Sequence, residues 1–463
     1  MSSPPPLAGG TQGPDALRPL LDTVLDALAD GATARGGPLP TGGPRAVATR
    51  LRELAGDPLP EHGTGPDTAL RTLVHALAEG AADPADPLCA AHLHCPPLAV
   101  ATAADLAASA LNPSMDSWDQ APAASVLEAL VTDALAQEVY SHDEDHTPAA
   151  LVTTGGTEAN QLALLLAREA HAAGGPVQLI AGANAHHSLP RAAWLLGLPE
   201  PVTVPAPTGT LDPAALDEAL TDLPGPKLVA ATAGTTDAGL IDPLDDIADL
   251  CDRHGARLHI DAAYGAGLLF SPTRRHQLTG LHRAATVTLD LHKLGWQPVA
   301  AGLIAVRDTT DVDALTHQAD YLNADDDTEA GLPDLLGRSL RTTRRPDILK
   351  IAVTLKALGR TGLGTLVDQV CDQAREFAET LDAHPGFDLY DTPALSTVLF
   401  RPHGATDEHL AHIRRTLLTQ GRAVLGRARM DGRLWLKATL LNPHTQPGDL
   451  AQLLKLVEGN TPR

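Results

Sequence analysis

The chain has 463 residues, 43% of them hydrophobic and 20% charged, with 40 Gly and 38 Pro, a balance that excludes a disordered tail and a fibrous repeat. With 57 acidic against 34 basic side chains the formal charge is −23, which repels nucleic-acid phosphates and anionic membrane surfaces, so neither is an expected partner. The first residues carry no basic-then-apolar leader, no stretch approaches the roughly 18 apolar residues of a membrane span, and four cysteines (Cys89, Cys95, Cys251, Cys371) are too few for a disulfide scaffold. A cytoplasmic protein is expected.

In chain order, residues 1 to about 15 and 31 to 45 are rich in Pro and Gly and frame an apolar helical segment over Leu17–Leu28, which reads as an N-terminal arm. Prolines between Asp83 and Pro97 break any helix. Apolar residues at three- and four-residue spacing then predict helices over Ala99–Leu111 and Ala123–Val139. From Ala149 short β-rich runs alternate with helices. Strand Ala150–Thr153 leads into helix Thr157–Ala172, Val177–Ile180 into Leu189–Leu196, and Lys227–Thr232 into Leu244–His254; Arg257–Asp261, Ala285–Leu289 and Leu303–Val306 follow as strands. Six such runs predict one mostly parallel, helix-covered sheet with ligands at the carboxyl ends of its strands. Beyond an acidic stretch (Asp325, Asp326, Asp327, Glu329) and a basic one (Arg338, Arg341, Arg344, Arg345), a helix is expected over Asp347–Leu358. The expected division is an N-terminal helical arm over 1–105, a large sheet domain over 106–361 and a small C-terminal α/β domain over 362–463.

Three segments carry chemistry. Thr153-Thr154-Gly155-Gly156-Thr157-Glu158-Ala159-Asn160 joins a strand to a helix through two glycines, placing backbone N–H groups and the Thr157 hydroxyl at a helix N-terminus as a phosphate cradle, although glycines at such turns also serve tight geometry alone. Leu258–Gly265 is a strand ending in Asp261 and small residues, which suits a carboxylate beside a flat ligand, though an Asp there also caps helices. Leu289–Trp296 places Lys293 directly after another apolar strand, where a lone lysine is usually a solvated charge. Cys89, His92, His94 and Cys95 put four metal-ligand side chains within seven residues, but zinc draws ligand pairs from separated segments. No metal is expected, and the segment reads as an active-site wall with Cys95 as a small buried residue.

Taken in order, the cradle, Ala185-His186-His187-Ser188, Gly234-Thr235-Thr236, Asp261-Ala262-Ala263 and His292-Lys293 resemble the group II pyridoxal phosphate-dependent decarboxylases, from about His92 into the C-terminal domain. The resemblance implies an aspartate aminotransferase-like (fold type I) α/β fold, pyridoxal 5'-phosphate as cofactor, an amino acid as small-molecule substrate, and a homodimer with the arm in the contact. It implies Lys293 as the amine that condenses with the cofactor's aldehyde, and Asp261 as the partner that keeps the pyridine nitrogen protonated. His186 would stack on one ring face and Ala263 pack on the other. Gly155, Gly156, Thr157 and His292 would hold the phosphate, and Thr235 or Thr236 would approach the ring's phenolic oxygen or the substrate.

Ala91–Pro97, Leu111–Gln120 and His292–Pro298 look closest to the bacterial branch acting on acyclic diamino acids, the lysine and L-2,4-diaminobutyrate decarboxylases that often feed siderophore synthesis. Tyr321-Leu322-Asn323 and Thr342–Arg345 agree with that branch. Cys95, Pro96, Trp118 and Asp119 are then the expected substrate-pocket residues. A distal ammonium would be met by Asp119, Asp290 or an acid of the 325–329 stretch, although Asp119 could equally brace a turn and the stretch be merely solvated. The expected reaction releases CO2 and an amine from lysine, ornithine or 2,4-diaminobutyrate, with lysine first. Aromatic amino acid decarboxylases carry a loop tyrosine that protonates the carbanion; Leu335 stands near that position here, and Tyr321, the nearest tyrosine upstream, is the candidate acid. Loss of that donor favours oxygen-dependent aldehyde formation in related enzymes. An oxidative deaminase or aldehyde synthase, an aromatic amino acid decarboxylase and a catalytically idle binding homologue are the alternatives, the last opposed by the joint presence of Lys293, Asp261 and His186.

Overall fold

The computed structural model describes residues 4–141, 145–316, 322 and 324–461. It comprises two compact units, one of residues 97–372 with 393–397, the other of residues 1–96 with 373–392 and 398–463. The breaks therefore fall at 96/97 and 372/373, against 105/106 and 361/362 from the sequence pattern. Among the described residues the strands are β1 (Cys89–Ala90), β2 (Ala149–Thr153), β3 (Gln178–Gly182), β4 (Val202–Val204), β5 (Lys227–Thr232), β6 (Arg257–Asp261), β7 (Thr286–Asp290), β8 (Gly302–Val306), β9 (Phe387–Leu389), β10 (Thr397–Pro402), β11 (Val424–Met430) and β12 (Arg433–Thr439). No helix among them is long and apolar enough to cross a membrane.

The first unit is built on a seven-stranded sheet in the order β2-β8-β7-β6-β5-β3-β4. Neighbours from β7 to β4 run parallel, and β8 runs antiparallel to both β7 and β2. β2, β7 and β8 are buried along their whole length, which is why they read as unbroken apolar runs rather than alternating ones. Helix Gly156–Ala170 is wedged into this core: Leu164 clusters with Leu179 of β3, Leu228 of β5 and Leu189, while Leu162 and Leu166 cluster with Leu151 of β2 and Ile304 of β8. β4 was not anticipated, because its three residues lie between Pro201 and Pro205 and pair only at the sheet edge.

The second unit holds a five-stranded sheet in the order β1-β11-β12-β10-β9. β1 pairs in parallel with β11, Cys89 opposite Val424, which ties the N-terminal segment to the C-terminal one. Its core includes Phe377, Phe387 and Phe400, with edge-to-face rings 5.6 and 5.8 Å apart. The expected arm helix spans Gly13–Arg35, and two further helices, Gly43–Ala55 and Pro66–Gly80, follow it.

One buried histidine locks three elements of the first unit together. His259 of β6 is 0% exposed; its Nδ1 lies 2.9 Å from Thr286 Oγ1 of β7 and its Nε2 3.0 Å from Asn160 Oδ1 of helix Gly156–Ala170. Burial pushes the imidazole down from 6.5 to about 4, against the pull of Asp261. The folded protein therefore resists a proton that the unfolded chain accepts, so this contribution is complete above pH 6.5 and is lost as pH falls toward 4, amounting to about 3 kcal/mol. His259→Gln, which keeps a donor toward Asn160, should flatten the fall in urea-unfolding free energy between pH 6.5 and 4; an unchanged slope would exclude this histidine as its source.

The start of β8 is equally constrained. Gly302 pairs with both Thr153 and Asp290, and a Cβ on it would overlap the Cα of Gly155. Gly302→Ala should cost about 1–3 kcal/mol of stability through overpacking and loosen the turn at Gly155. A variant with wild-type Tm would contradict that close approach.

Candidate active site

Strand register brings the motif residues to one edge of the seven-stranded sheet. Gly302 stands between Thr153 and Asp290, and Asp261 between Thr232 and Thr288, so the carboxyl ends of β2, β5, β6 and β7 lie together with the start of β8. Open α/β sheets bind ligands at this edge.

At the end of β2 the chain turns through Gly155, at φ 152°, into helix Gly156–Ala170. Thr154 donates both its N–H and its hydroxyl to Glu158 Oε2, at 2.6 and 2.7 Å, and Arg341 Nε holds the other Glu158 oxygen at 3.2 Å. A Cβ on Gly155 would stand 2.9 Å from His292 Cε1; one on Gly156 would stand 3.1 Å from the Ala263 Cβ and 3.2 Å from Asp290 Oδ2. A side chain at either position would crowd these neighbours. An anion can thus approach the first-turn N–H groups, where the helix dipole adds partial positive charge. Thr157 is exposed in that turn.

Beside the cradle, Lys293 Nζ lies 2.9 Å from Asp290 Oδ2, and His292 Nε2 lies 3.5 Å from the same oxygen. Asp290 is 5% exposed, and its Oδ1 is buried without a hydrogen-bond partner among the described residues. Burial pushes the His292 imidazole below its ordinary range, with Asp290 opposing the shift.

Asp261 ends β6 with both oxygens engaged, Oδ1 accepting from the Ala263 N–H at 3.1 Å and Oδ2 from Asn160 Nδ2 at 2.8 Å. Asn160 also donates to Ser188 Oγ at 2.8 Å, and Ser188 Oγ lies 2.8 Å from His186 Nδ1. Burial lowers the half-buried His186, and nearby Asp261 counters that. Asn160 and Ser188 were missed by sequence reasoning as site residues. Asn160 lay inside the cradle motif and Ser188 followed the two histidines, but nothing in either residue type signalled that Asn160 would meet Asp261, 101 positions on, or that Ser188 would join Asn160 to His186.

The two threonines that the sequence left unseparated differ. Thr235 is buried, its hydroxyl accepting from the Leu240 N–H at 3.0 Å, whereas Thr236 is exposed. Trp118 and Asp119 share an exposed 3-10 turn, Asp119 accepting from Ser117 Oγ at 2.6 Å. Neither is hydrogen-bonded to the cluster around Lys293. Cys95 is buried and Pro96 half-buried, and both belong to the other compact unit. Asp326, Asp327 and Glu329 are exposed, Leu335 is buried, and Tyr321 lies outside the described residues. Burial pushes the Cys89 thiol up to about 11, and among the described residues no three His, Cys, Asp or Glu side chains gather as ligands for one ion.

These residues fit pyridoxal phosphate. A cradle whose two glycines stand close against their neighbours suits its phosphate, a lysine stands on the same edge, and a buried carboxylate with lone pairs to spare suits its ring nitrogen.

The comparisons agree with that fit. The family described as "Pyridoxal-dependent decarboxylase conserved domain" matches residues 50–403. An L-2,4-diaminobutyrate decarboxylase of Rhizobium meliloti (strain 1021) is 39% identical over 424 residues, 88% of this chain and 84% of that protein. A protein of the same description from Acinetobacter baumannii is 33% identical over 433 residues, 86% of this chain and 84% of that one. Among solved structures, the glutamate decarboxylase domain of a diaminobutyrate-pyruvate transaminase and L-2,4-diaminobutyrate decarboxylase from Vibrio parahaemolyticus superposes with a TM-score of 0.87 at 30% identity, covering 98% of this chain and 97% of that one. The chain belongs to the pyridoxal-dependent decarboxylase family, and is a fold type I amino acid decarboxylase with pyridoxal phosphate as its cofactor.

Proposed function

We propose that the chain removes the α-carboxylate of L-2,4-diaminobutyrate, releasing CO2 and 1,3-diaminopropane. The observation that carries the chemistry is the convergence of Lys293, the Gly155–Gly156 cradle and buried Asp261 on one sheet edge. The substrate reading is supported by the two relatives described above, which move diaminobutyrate ahead of lysine, the first choice from sequence.

Bound pyridoxal phosphate supplies a ring that takes up the electron pair left when the bond to the carboxylate breaks. Asp261 holds the proton at the ring nitrogen, in a buried setting where the attraction is little screened. Gly155, Gly156, Thr157 and His292 would hold the phosphate, and His186 and Ala263 would hold the ring. Thr236, exposed where Thr235 is buried, is the threonine assigned to the phenolic oxygen or substrate. Lys293 holds the cofactor covalently, its side chain oriented by Asp290. Asp119 is the acid assigned to the distal ammonium. Tyr321 returns the proton to the α-carbon.

The same reading includes a homodimer. Leu25 and Leu28 on helix Gly13–Arg35, and Leu73 and Leu77 on helix Pro66–Gly80, are exposed apolar side chains, a face that a second copy would cover. Light scattering at assay concentration should give twice the chain mass; a fully active monomer would contradict this.

An assay panel of diaminobutyrate, ornithine, lysine and dopa, following CO2, amine and oxygen together, tests the chemistry. Diaminobutyrate should give the highest kcat/KM and dopa should trail by about 10- to 100-fold, because a neutral side chain forgoes the charge-assisted bond to the acid that meets the distal ammonium. Asp119→Asn should raise KM for the diamino acid. Lys293→Ala should abolish turnover and borohydride-reducible cofactor attachment, and Tyr321→Phe should yield less amine per CO2, with oxygen uptake. Better turnover of dopa would overturn the substrate assignment, and cofactor attached at another lysine would overturn that of Lys293.

A further inference from the structure

Asn160 is 0% exposed, one helical turn past the cradle, and its amide makes every hydrogen bond available to it. Nδ2 donates to Asp261 Oδ2 and to Ser188 Oγ, both at 2.8 Å; Oδ1 accepts from Thr288 Oγ1 at 2.8 Å and from His259 Nε2 at 3.0 Å. The orientation has one solution. Turning the amide over would set its carbonyl against the Asp261 carboxylate and its N–H groups against two donors. The direction of the remaining chain follows from it. His186 Nδ1 accepts from the Ser188 N–H at 3.3 Å and so carries no proton, which makes the Ser188 hydroxyl, itself accepting from Asn160, the donor to Nδ1 and leaves the neutral His186 ring proton on Nε2.

A buried amide with four partners drawn from β6, β7 and the start of helix Ser188–Leu195 defines geometry more than it adds stability. Two of the groups it sets are the carboxylate assigned to the ring nitrogen and, through one hydroxyl, the imidazole assigned to the ring face. We propose that Asn160 is a positioning residue for the decarboxylation, its amide joining Asp261 and, by way of Ser188, His186 into one hydrogen-bonded unit that sets both ring contacts together. The inference rests on the reading of Asp261 and His186 as the ring's partners.

Asn160→Asp keeps the volume and both acceptors for His259 and Thr288 but sets a second carboxylate against Asp261. Ser188→Ala removes the hydroxyl between the amide and His186 and leaves the Asn160 bond to Asp261 in place. In the full-length holoenzyme, Asn160→Asp should lower kcat by about 100-fold or more with KM within about threefold, and Ser188→Ala by about tenfold. The visible absorbance of the bound cofactor should shift its pH profile in Asn160→Asp. Because the link is already cut, adding Ser188→Ala to that variant should cost less than about a further threefold. In cofactor-free protein, Ser188→Ala should shift the His186 imidazole titration seen by NMR, a readout available even if the Asn160 variant does not fold. The groups facing His186 in that titration are Asp261, His187, Lys293 and Asp290, and those facing His259 are Asp261 and Arg257. Asp261→Asn and His186→Ala run alongside. Near-wild-type turnover in both would overturn the ring-partner reading itself; large losses there, with an unmoved His186 titration or fully multiplicative losses in the double variant, would overturn only the coupling through Asn160.

Discussion

In a sheet buried on both faces, polar side chains cannot turn to water and must satisfy one another. His259, Thr286, Thr288 and Asp261 sit on adjacent parallel strands β6 and β7, each 0–5% exposed. The backbone ladder offers them nothing, because its own groups are taken up in strand pairing. They are satisfied laterally, by the Asn160 amide and by each other. That lateral bonding orients the carboxylate at the strand end, and it requires helix Gly156–Ala170 to enter the sheet edge at one depth. Gly302 and Gly155, with no side chains between them, permit that depth.

Charge works on two scales in this protein. The overall excess of acid, −23, repels an anionic cofactor at long range, but beyond about 8 Å at physiological salt that field is largely screened. Close in, the helix N-terminus and Lys293 supply positive potential, and Asp290 moderates it. The same overall charge draws cations toward the surface, and a diamino acid carries a net positive charge at neutral pH.

Elements with strong local patterning were legible in the sequence. The helices Ala99–Leu111 and Leu244–His254 and the strands Lys227–Thr232 and Arg257–Asp261 have the bounds their apolar spacing predicts. Helices Gly43–Ala55 and Pro66–Gly80 were not legible; each opens on a proline inside Gly/Pro-rich sequence that reads locally as loop. The direction of β8 was hidden too, since a fully buried strand is apolar on both faces whichever way it runs. Lys293, Asp261 and the two glycines stood out because each marks a strand end, a feature that a few neighbouring residues encode.

By itself, then, the sequence determined the strand-and-turn punctuation and, with it, which residues stand at strand ends; these are local matters of periodicity, glycine and proline. Tertiary structure alone decided what those residues meet. Asn160 finds Asp261 and Thr288 at separations of 101 and 128 positions, Thr235 is buried while its neighbour Thr236 is exposed, and Cys89 pairs with Val424 across most of the chain. A hydrogen bond depends on distance and angle between atoms, and for residues so far apart only the packed sheet and its covering helices determine either.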